Sequence, residues 1–148
     1  MKYIAVLLSI LALVSCQNFM ALDYDPVQVP AGVVDLETAF NWVASNVSYV
    51  PDNGEKWQGP HDTMKRRAGD CEDFAILLAA LCDQLGYDSG IIVGNGHAAA
   101  KIDGVLYDAV PVLTSDGQRP ATFEPDTTNY DIIYDGDIDE VLRNCDSE

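Results

Sequence analysis

Basic residues are scarce in this chain. Only 8 Lys and Arg stand against 24 Asp and Glu in 148 residues, a formal net charge of −16. Such a surface repels phosphate backbones, which argues against nucleic acid as a partner and favours cationic partners or divalent metals. Histidine is scarcer still. His61 and His97 are the only 2, so any imidazole chemistry falls on one of them. The 4 cysteines are Cys16, Cys71, Cys82 and Cys145. No two form a Cys-x-x-Cys pair, so zinc is not expected. Internal repeats are absent. The apolar run from Ile4 to Val14 is too short to span a bilayer stably. What is plentiful is ordinary: 48% hydrophobic and 22% charged residues, in a length that suits one domain with its own core.

Residues 1–15 read as a secretion signal, with Met1-Lys2 as the positive end and the apolar run behind it. Leu13-Val14-Ser15-Cys16 resembles the lipobox of bacterial lipoproteins, in which the cysteine after a small residue is cleaved and lipidated. The resemblance implies lipid chains on Cys16 and a membrane anchor outside the cytoplasm. Gln17, rather than Asp, follows the cysteine, which in the lipoprotein analogy points to the outer membrane if the host has one. An ordinary signal peptide cut nearby is the alternative. Residues 16–34, with Pro26, Pro30 and Gly32, are expected to form a tether. Residues 35–148 then form the folded domain.

The centre of that domain is Gly69-Asp70-Cys71-Glu72-Asp73-Phe74 and the apolar run after it. Apolar residues at 74, 77, 78, 81 and 85 mark one face of a helix, and Gly86 supplies its left-handed stop. Asp70 suits the N-cap, with Asp73 as the acidic partner of a capping box. Cys71 therefore falls in the first turn, where free N–H groups and the helix dipole favour a thiolate. The alternative is a small buried cysteine in a core helix. The neighbouring carboxylates oppose the dipole and raise the thiol pKa. Successive helical positions point about 100° apart, so Glu72 and Asp73 can face away from the sulfur.

Around this helix the chain reads as mixed α and β. Asp35 is expected to cap a helix carrying Leu36, Ala39, Phe40 and Val43 on one face. Val47 to Val50 is strand-like, Pro51 to Gly59 a loop, and Asp62 to Arg67 a short helix. Lys65-Arg66-Arg67 reads as a solvated helix face rather than a substrate clamp. Ile91-Ile92-Val93 is a buried strand and Gly94-Asn95-Gly96 a flexible break. His97 to Ile102 and Val105 to Val112 flank Asp103-Gly104, the strongest short hairpin signal. Residues 114–129 look like loop, Asp131 to Tyr134 an edge strand, and Ile138 to Arg143 a terminal helix.

A thiol nucleophile needs a base, and the base needs a group that orients it. If Asp103-Gly104 is a two-residue turn, residue 102 lies opposite 105, 99 opposite 108 and 97 opposite 110. Alternation then places 97, 99, 108 and 110 on one face. His97 and Asp108 become diagonal cross-strand neighbours, within reach of a side-chain contact. A three-residue loop would flip the parity and separate them. His61 has no carboxylate at a defined spacing and reads as a surface residue.

Trp57-Gln58-x-Pro60, Gly69-Asp70-Cys71-Glu72-Asp73-Phe74-Ala75, Gly96-His97 and Leu106-Tyr107-Asp108 follow in that order. Together they resemble the transglutaminase-like superfamily, most of all its bacterial cysteine proteinases, over residues 36–112. The resemblance implies an α+β, papain-like fold, in which a central helix bearing the nucleophile packs on a small antiparallel sheet. It implies Cys71 as nucleophile, His97 as general base and then acid, and Asp108 as the group orienting the imidazole. The chemistry implied is attack on an amide carbonyl through a thioester acyl-enzyme. The backbone N–H of Cys71 is one oxyanion donor; Trp57 or Gln58 is a candidate for the second, with core packing the alternative for Trp57. In some of these proteinases the acids flanking the cysteine bind calcium. Asp70 and Glu72 hold those positions here, and plain helix capping explains them equally. No cofactor is otherwise required.

Cys82 lies about three turns beyond Cys71, too far along the helix to bridge to it. An extracytoplasmic address allows a Cys82–Cys145 disulfide; a buried free Cys82 and a loose Cys145 are the alternative. The expectation is a monomeric, lipid-anchored, extracytoplasmic cysteine hydrolase of peptidase or amidase type, acting on a protein or peptide. An acyltransferase with an amine acceptor and a non-catalytic binding lipoprotein are the rivals.

Overall fold

A computed structural model describes residues 25–54 and 56–145. The expected signal, Cys16, Gln17 and residues 18–24 of the tether lie outside the described residues. Among the described residues no helix is long and apolar enough to cross a membrane.

The fold is α+β. Helix α1 (Leu36–Asn46) starts at Asp35, whose carboxylate accepts from Thr38 N while Thr38 Oγ1 accepts from Asp35 N, a capping box. Strand β1 (Ser48–Tyr49) follows, then a loop, α2 (Pro60–Arg66) and β2 (Ala68–Gly69). Strands β1 and β2 pair in parallel, with Ser48 beside Ala68 and Tyr49 beside Gly69. This short ladder ends one residue before Asp70, so it fixes where the central helix α3 (Cys71–Gln84) begins. Asp70 is the N-cap of α3, and Asp73 completes its capping box. Gly86, at φ 90°, takes the left-handed conformation expected of the stop.

Helix α3 is buried on nearly all sides. Phe74, Ile76, Leu77, Leu78 and Leu81 are each at most 1% exposed. Each such side chain contributes roughly 1.5–3 kcal/mol when taken out of water. The helix packs on a four-stranded antiparallel sheet of order β5-β4-β3-β8. Its strands are β3 (Ser89–Gly94), β4 (His97–Ile102), β5 (Val105–Tyr107) and β8 (Ile132–Asp137). Buried Ala98 and Ala100 on β4 are small, which lets the helix approach the sheet. Helix α4 (Ile138–Asn144) follows β8 directly and buries Ile138, Val141 and Leu142.

The hairpin register is the one the sequence implied. Ile102 pairs with Val105 and Ala100 with Tyr107, around Asp103 and Gly104 at φ 49° and 78°. Both residues are left-handed, as a type I′ turn requires. The β3–β4 connection departs from expectation. Gly94 pairs with His97, and Asn95 and Gly96 take φ 56° and 71°. Gly94-Asn95-Gly96 is thus not a flexible break but a second tight turn of the Asn-Gly kind.

Residues 114–129 also hold more order than their composition suggests. Strands β6 (Val112–Thr114) and β7 (Gly117–Arg119) form a hairpin. Its residues are largely exposed and carry no apolar alternation, so the sequence offers no period to read. The carboxamide of Gln118 accepts from Tyr49 N and donates to Tyr49 O, both at 2.9 Å, tying the hairpin to β1. Beyond it, Phe123 stacks on Tyr107 at 5.5 Å and meets Phe40 edge-on at 5.4 Å. The packed domain also begins before residue 35, since Val27 and Val33 are buried in the core at 2% and 6% exposure.

Candidate active site

Cys71 is the first residue of α3 and is 8% exposed. The backbone N–H of Ala98, the residue after His97, is near enough to oppose the rise in the thiol pKa, which places the thiol close to the start of β4. The histidine Nε2 lies 2.8 Å from Asp108 Oδ2. Asp108 stands just beyond β5, and its Oδ1 accepts from Val110 N at 2.9 Å, an Asx turn that ends the strand and holds the carboxylate. With Nε2 committed to Asp108, Nδ1 is the ring nitrogen left to exchange a proton. The hydrogen bond that the ring donates to Asp108 holds the imidazole pKa above its ordinary value against the opposing effect of burial, and the charges of Asp108, Asp126 and Glu72 add to it.

The electrostatics at the thiol differ from the helix-dipole expectation. Burial pushes the Cys71 pKa up to about 12, and Glu72 adds to it through both its hydrogen bond and its charge. Glu72 does not face away: Sγ donates to its Oε2 at 2.9 Å. The carboxylate wins over the dipole because it is a full charge in direct contact, whereas a helix terminus carries about half a charge. The Cys71 side chain therefore rests as a protonated thiol. Glu72→Gln keeps the shape and removes the charge, so the thiol pKa falls and more thiolate exists at any given pH. Alkylation of Cys71 by iodoacetamide at pH 8 should speed up by about tenfold, measured as a second-order rate by mass spectrometry. An unchanged rate would show that Glu72 does not hold the proton.

Asp73 organises the other wall. It is 1% exposed. Its Oδ2 accepts from Asp70 N at 3.1 Å and from Gln58 Nε2, and its Oδ1 accepts from Gln58 N at 2.9 Å. Gln58 Nε2 also reaches Ala68 O at 3.4 Å, and Gln58 Oε1 is buried without a partner. Both amide donors of this oxyanion candidate are thus directed at Asp73. Trp57 packs edge-on against Tyr134 with ring centroids 5.2 Å apart, the core role left open for it. The N–H of Cys71 sits in the first helical turn, where no intrahelical acceptor exists.

Asp70 and Glu72 do not fit a calcium site as they stand. The Asp70 carboxylate caps Asp73 N, and Glu72 is engaged by the thiol. Among the described residues no group of three or more His, Cys, Asp or Glu side chains could hold a metal ion. No step is routed through calcium. Cys82 is buried and not bridged to Cys145, and Cys145 Sγ donates to Val141 O at 3.5 Å. His61 is exposed and its Nε2 meets Asp25 O at 3.0 Å. Arg67 lies over the Trp42 ring and donates to Asn46 Oδ1 at 2.7 Å, a structural rather than a substrate contact.

Three residues at the site carried no signal in sequence. Tyr130 stacks on the His97 ring, Asp126 receives the Tyr130 hydroxyl at 2.7 Å, and Asn95 holds the chain on either side of Tyr130. They come from a turn and a coil whose residue types alone suggest only loop. A groove of about 450 Å³ opens beside Asp108, between Val110, Val112, Thr122, Glu124 and Asp126.

A family model described as the transglutaminase-like superfamily matches residues 32–121. The chain is 27% identical over 111 residues to a UPF0252 protein of Pyrococcus horikoshii, a match that covers 70% of this chain and 30% of the relative. A crystal structure from Cytophaga hutchinsonii, provisionally named a cysteine protease, shares 29% identity at a TM-score of 0.45, covering 57% of this chain and 34% of that one. The chain thus spans about a third of the length of these relatives.

Proposed function

Because the chain belongs to the transglutaminase-like superfamily, we propose that it is a cysteine hydrolase that cleaves an amide bond in a protein or peptide. Cys71 is the nucleophile, His97 the base and then the acid, and Asp108 the group that holds the imidazole. The observation that carries this reading is the 2.8 Å contact between His97 Nε2 and Asp108 Oδ2, on a strand whose next N–H, that of Ala98, lies near enough to the thiol to act on its pKa. In the attack His97 Nδ1 takes the thiol proton as sulfur bonds to the carbonyl carbon. The imidazolium, stabilised by Asp108, then protonates the departing amine, which leaves a thioester. Water activated by the same imidazole resolves the thioester to acid and free thiol. A protonated resting thiol suits this route, since the proton is transferred only when a substrate is in place.

The groove beside Asp108 offers room for a substrate segment, and its Glu124 and Asp126 favour a neutral or cationic one. Sequence alone supports the address. Ser15-Cys16-Gln17 fits a lipidated, outer-membrane-facing N-terminus, and the protein would act there as an anchored monomer. Calcium would have to displace the Asp70 and Glu72 contacts described above.

The reading is tested by incubating the chain with a peptide library and searching by mass spectrometry for a thioester on Cys71. We expect an acyl adduct on Cys71 that decays to free acid in water, with little incorporation of a labelled amine. Amine incorporation in place of acid would make the protein an acyltransferase. Failure to acylate with any amide or activated ester would leave only a non-catalytic module.

A further inference from the structure

The imidazole of His97 is held from two directions, and only one of them is Asp108. On its other side lies Tyr130, whose ring is within 13° of parallel to the imidazole at a centroid separation of 6.4 Å. That falls within the range of offset-stacked rings. Tyr130 is itself tied down at three points. Its hydroxyl donates to Asp126 Oδ2 at 2.7 Å. Asn95 Nδ2 donates to Asn129 O at 2.9 Å, and Asn95 Oδ1 accepts from Asp131 N at 3.0 Å. One side chain thus grips the residues just before and just after Tyr130. Asn95 can do so because it sits left-handed in the β3–β4 turn, two residues before His97. Asp126 is pinned in turn: its N donates to Leu106 O at 2.7 Å, and its Oδ1 accepts from Thr128 N at 2.8 Å. The base and the ring stacked on it are therefore referenced to the same two strands.

We propose that Tyr130 is a positioning residue for the proton relay, an aromatic roof over one side of the His97 ring that keeps the imidazole aligned with Asp108. This rests on the reading of His97 as the base for Cys71. Residues 126 and 130 lie beyond the stretch matched by the family model, which ends at 121. Stacking restricts rotation about the ring's bond to the backbone, and a relay that is misplaced by even about 1 Å loses much of its rate. An aromatic ring on one side also strengthens the His97–Asp108 attraction by lowering the local dielectric. The ionisable groups facing the imidazole are Asp108 after β5, Asp126 in the loop and Glu72 on α3, with the Cys71 thiol and the Tyr130 phenol beside them.

The test uses the full chain and two readouts. One is the proton NMR signal of the His97 Nε2–H, visible only when it is protected from exchange with water. The other is the iodoacetamide rate at Cys71. The wild-type chain should show the ring N–H signal, and Asp108→Ala should remove it and so assign it. Tyr130→Ala should lose the signal and alkylate about tenfold more slowly. Tyr130→Phe should keep the signal and stay within about twofold of wild type, because the ring rather than the hydroxyl gives the cover. Asn95→Ala should give an intermediate loss, and it decides the matter if Tyr130→Ala fails to fold. A wild-type chain with no protected ring N–H, or a folded Tyr130→Ala chain that retains it, overturns the proposal. His97→Ala separates the two readings. If it alkylates at the wild-type rate, the relay from His97 to Cys71 fails, whereas the ring N–H signal across the Tyr130 series still reports on its own whether Tyr130 holds the imidazole.

Discussion

Cys71→Ala should abolish amide turnover, a fall of about 10⁴-fold or more, while the protein melts as before. The size of the effect follows from the covalent route. Without sulfur there is no acyl-enzyme, and the remaining groups can only polarise a carbonyl and hold it. The lack of effect on stability follows from the site. The thiol is 8% exposed at the tip of α3, it donates to Glu72, and the Ala98 N–H lies nearby. Removing one sulfur leaves a small void at the rim of the core, and the helix keeps its cap through Asp70 and Asp73. Turnover of the peptide acylating Cys71, measured beside a thermal melt, checks both halves. Residual turnover within tenfold of wild type would remove Cys71 from the mechanism.

Gly69→Ala should destabilise the fold by about 3 kcal/mol, a fall in Tm of roughly 10 °C. A Cβ at this position would lie 2.5 Å from Asp73 Cβ and 2.7 Å from its Oδ2. Neither side can give way cheaply. Gly69 is held by its pairing with Tyr49, and Val50 N donates to Gly69 O at 2.8 Å. Asp73 cannot withdraw without dropping the N–H groups of Asp70 and Gln58, which would then be buried unpaired. The strain falls on the segment that sets the start of α3, so the thiol moves with it and its alkylation rate should change too. Gly59→Ala is the control. Its Cβ would meet nothing nearer than Asp62 Oδ2 at 3.9 Å, and it should melt as wild type. If the two variants melt alike, the contact between Gly69 and Asp73 does not carry that stability.

The parts of this arrangement that were legible in sequence are those governed by local rules. Asp70 to Gly86 carries a cap, an apolar stripe and a stop that all agree. Asp103-Gly104 fixes a turn length, and turn length fixes parity, so the approach of Asp108 to His97 could be read before any coordinates. The same rule applied to Asn95-Gly96 would have found the second turn, but Gly94 just before it disguised the signal as a loose glycine-rich stretch. The orientations of Glu72 and Gln58 were not legible for another reason. Helical geometry gives the direction of a Cα–Cβ bond, not where a long side chain bends afterwards, and both turned towards nearby polar atoms. Tyr130 and Asp126 lie in a coil without a period. Their place over His97 depends on contacts across more than thirty residues of chain, which no local pattern encodes.

A carboxamide carries an N–H donor group and a C=O acceptor side by side, the same pairing that an extended peptide unit presents. Gln118 uses both on Tyr49, so one side chain stands in for a rung of ladder between the β6–β7 hairpin and β1. Val112 on that hairpin walls the groove, and the Tyr49 phenol lies within electrostatic reach of Cys71. Unfastening the clasp breaks no strand pairing within either partner and forfeits two hydrogen bonds, about 1–3 kcal/mol in water. The hairpin that supplies Val112 to the groove is thus tied to β1 by a fastening no stronger than two ordinary hydrogen bonds.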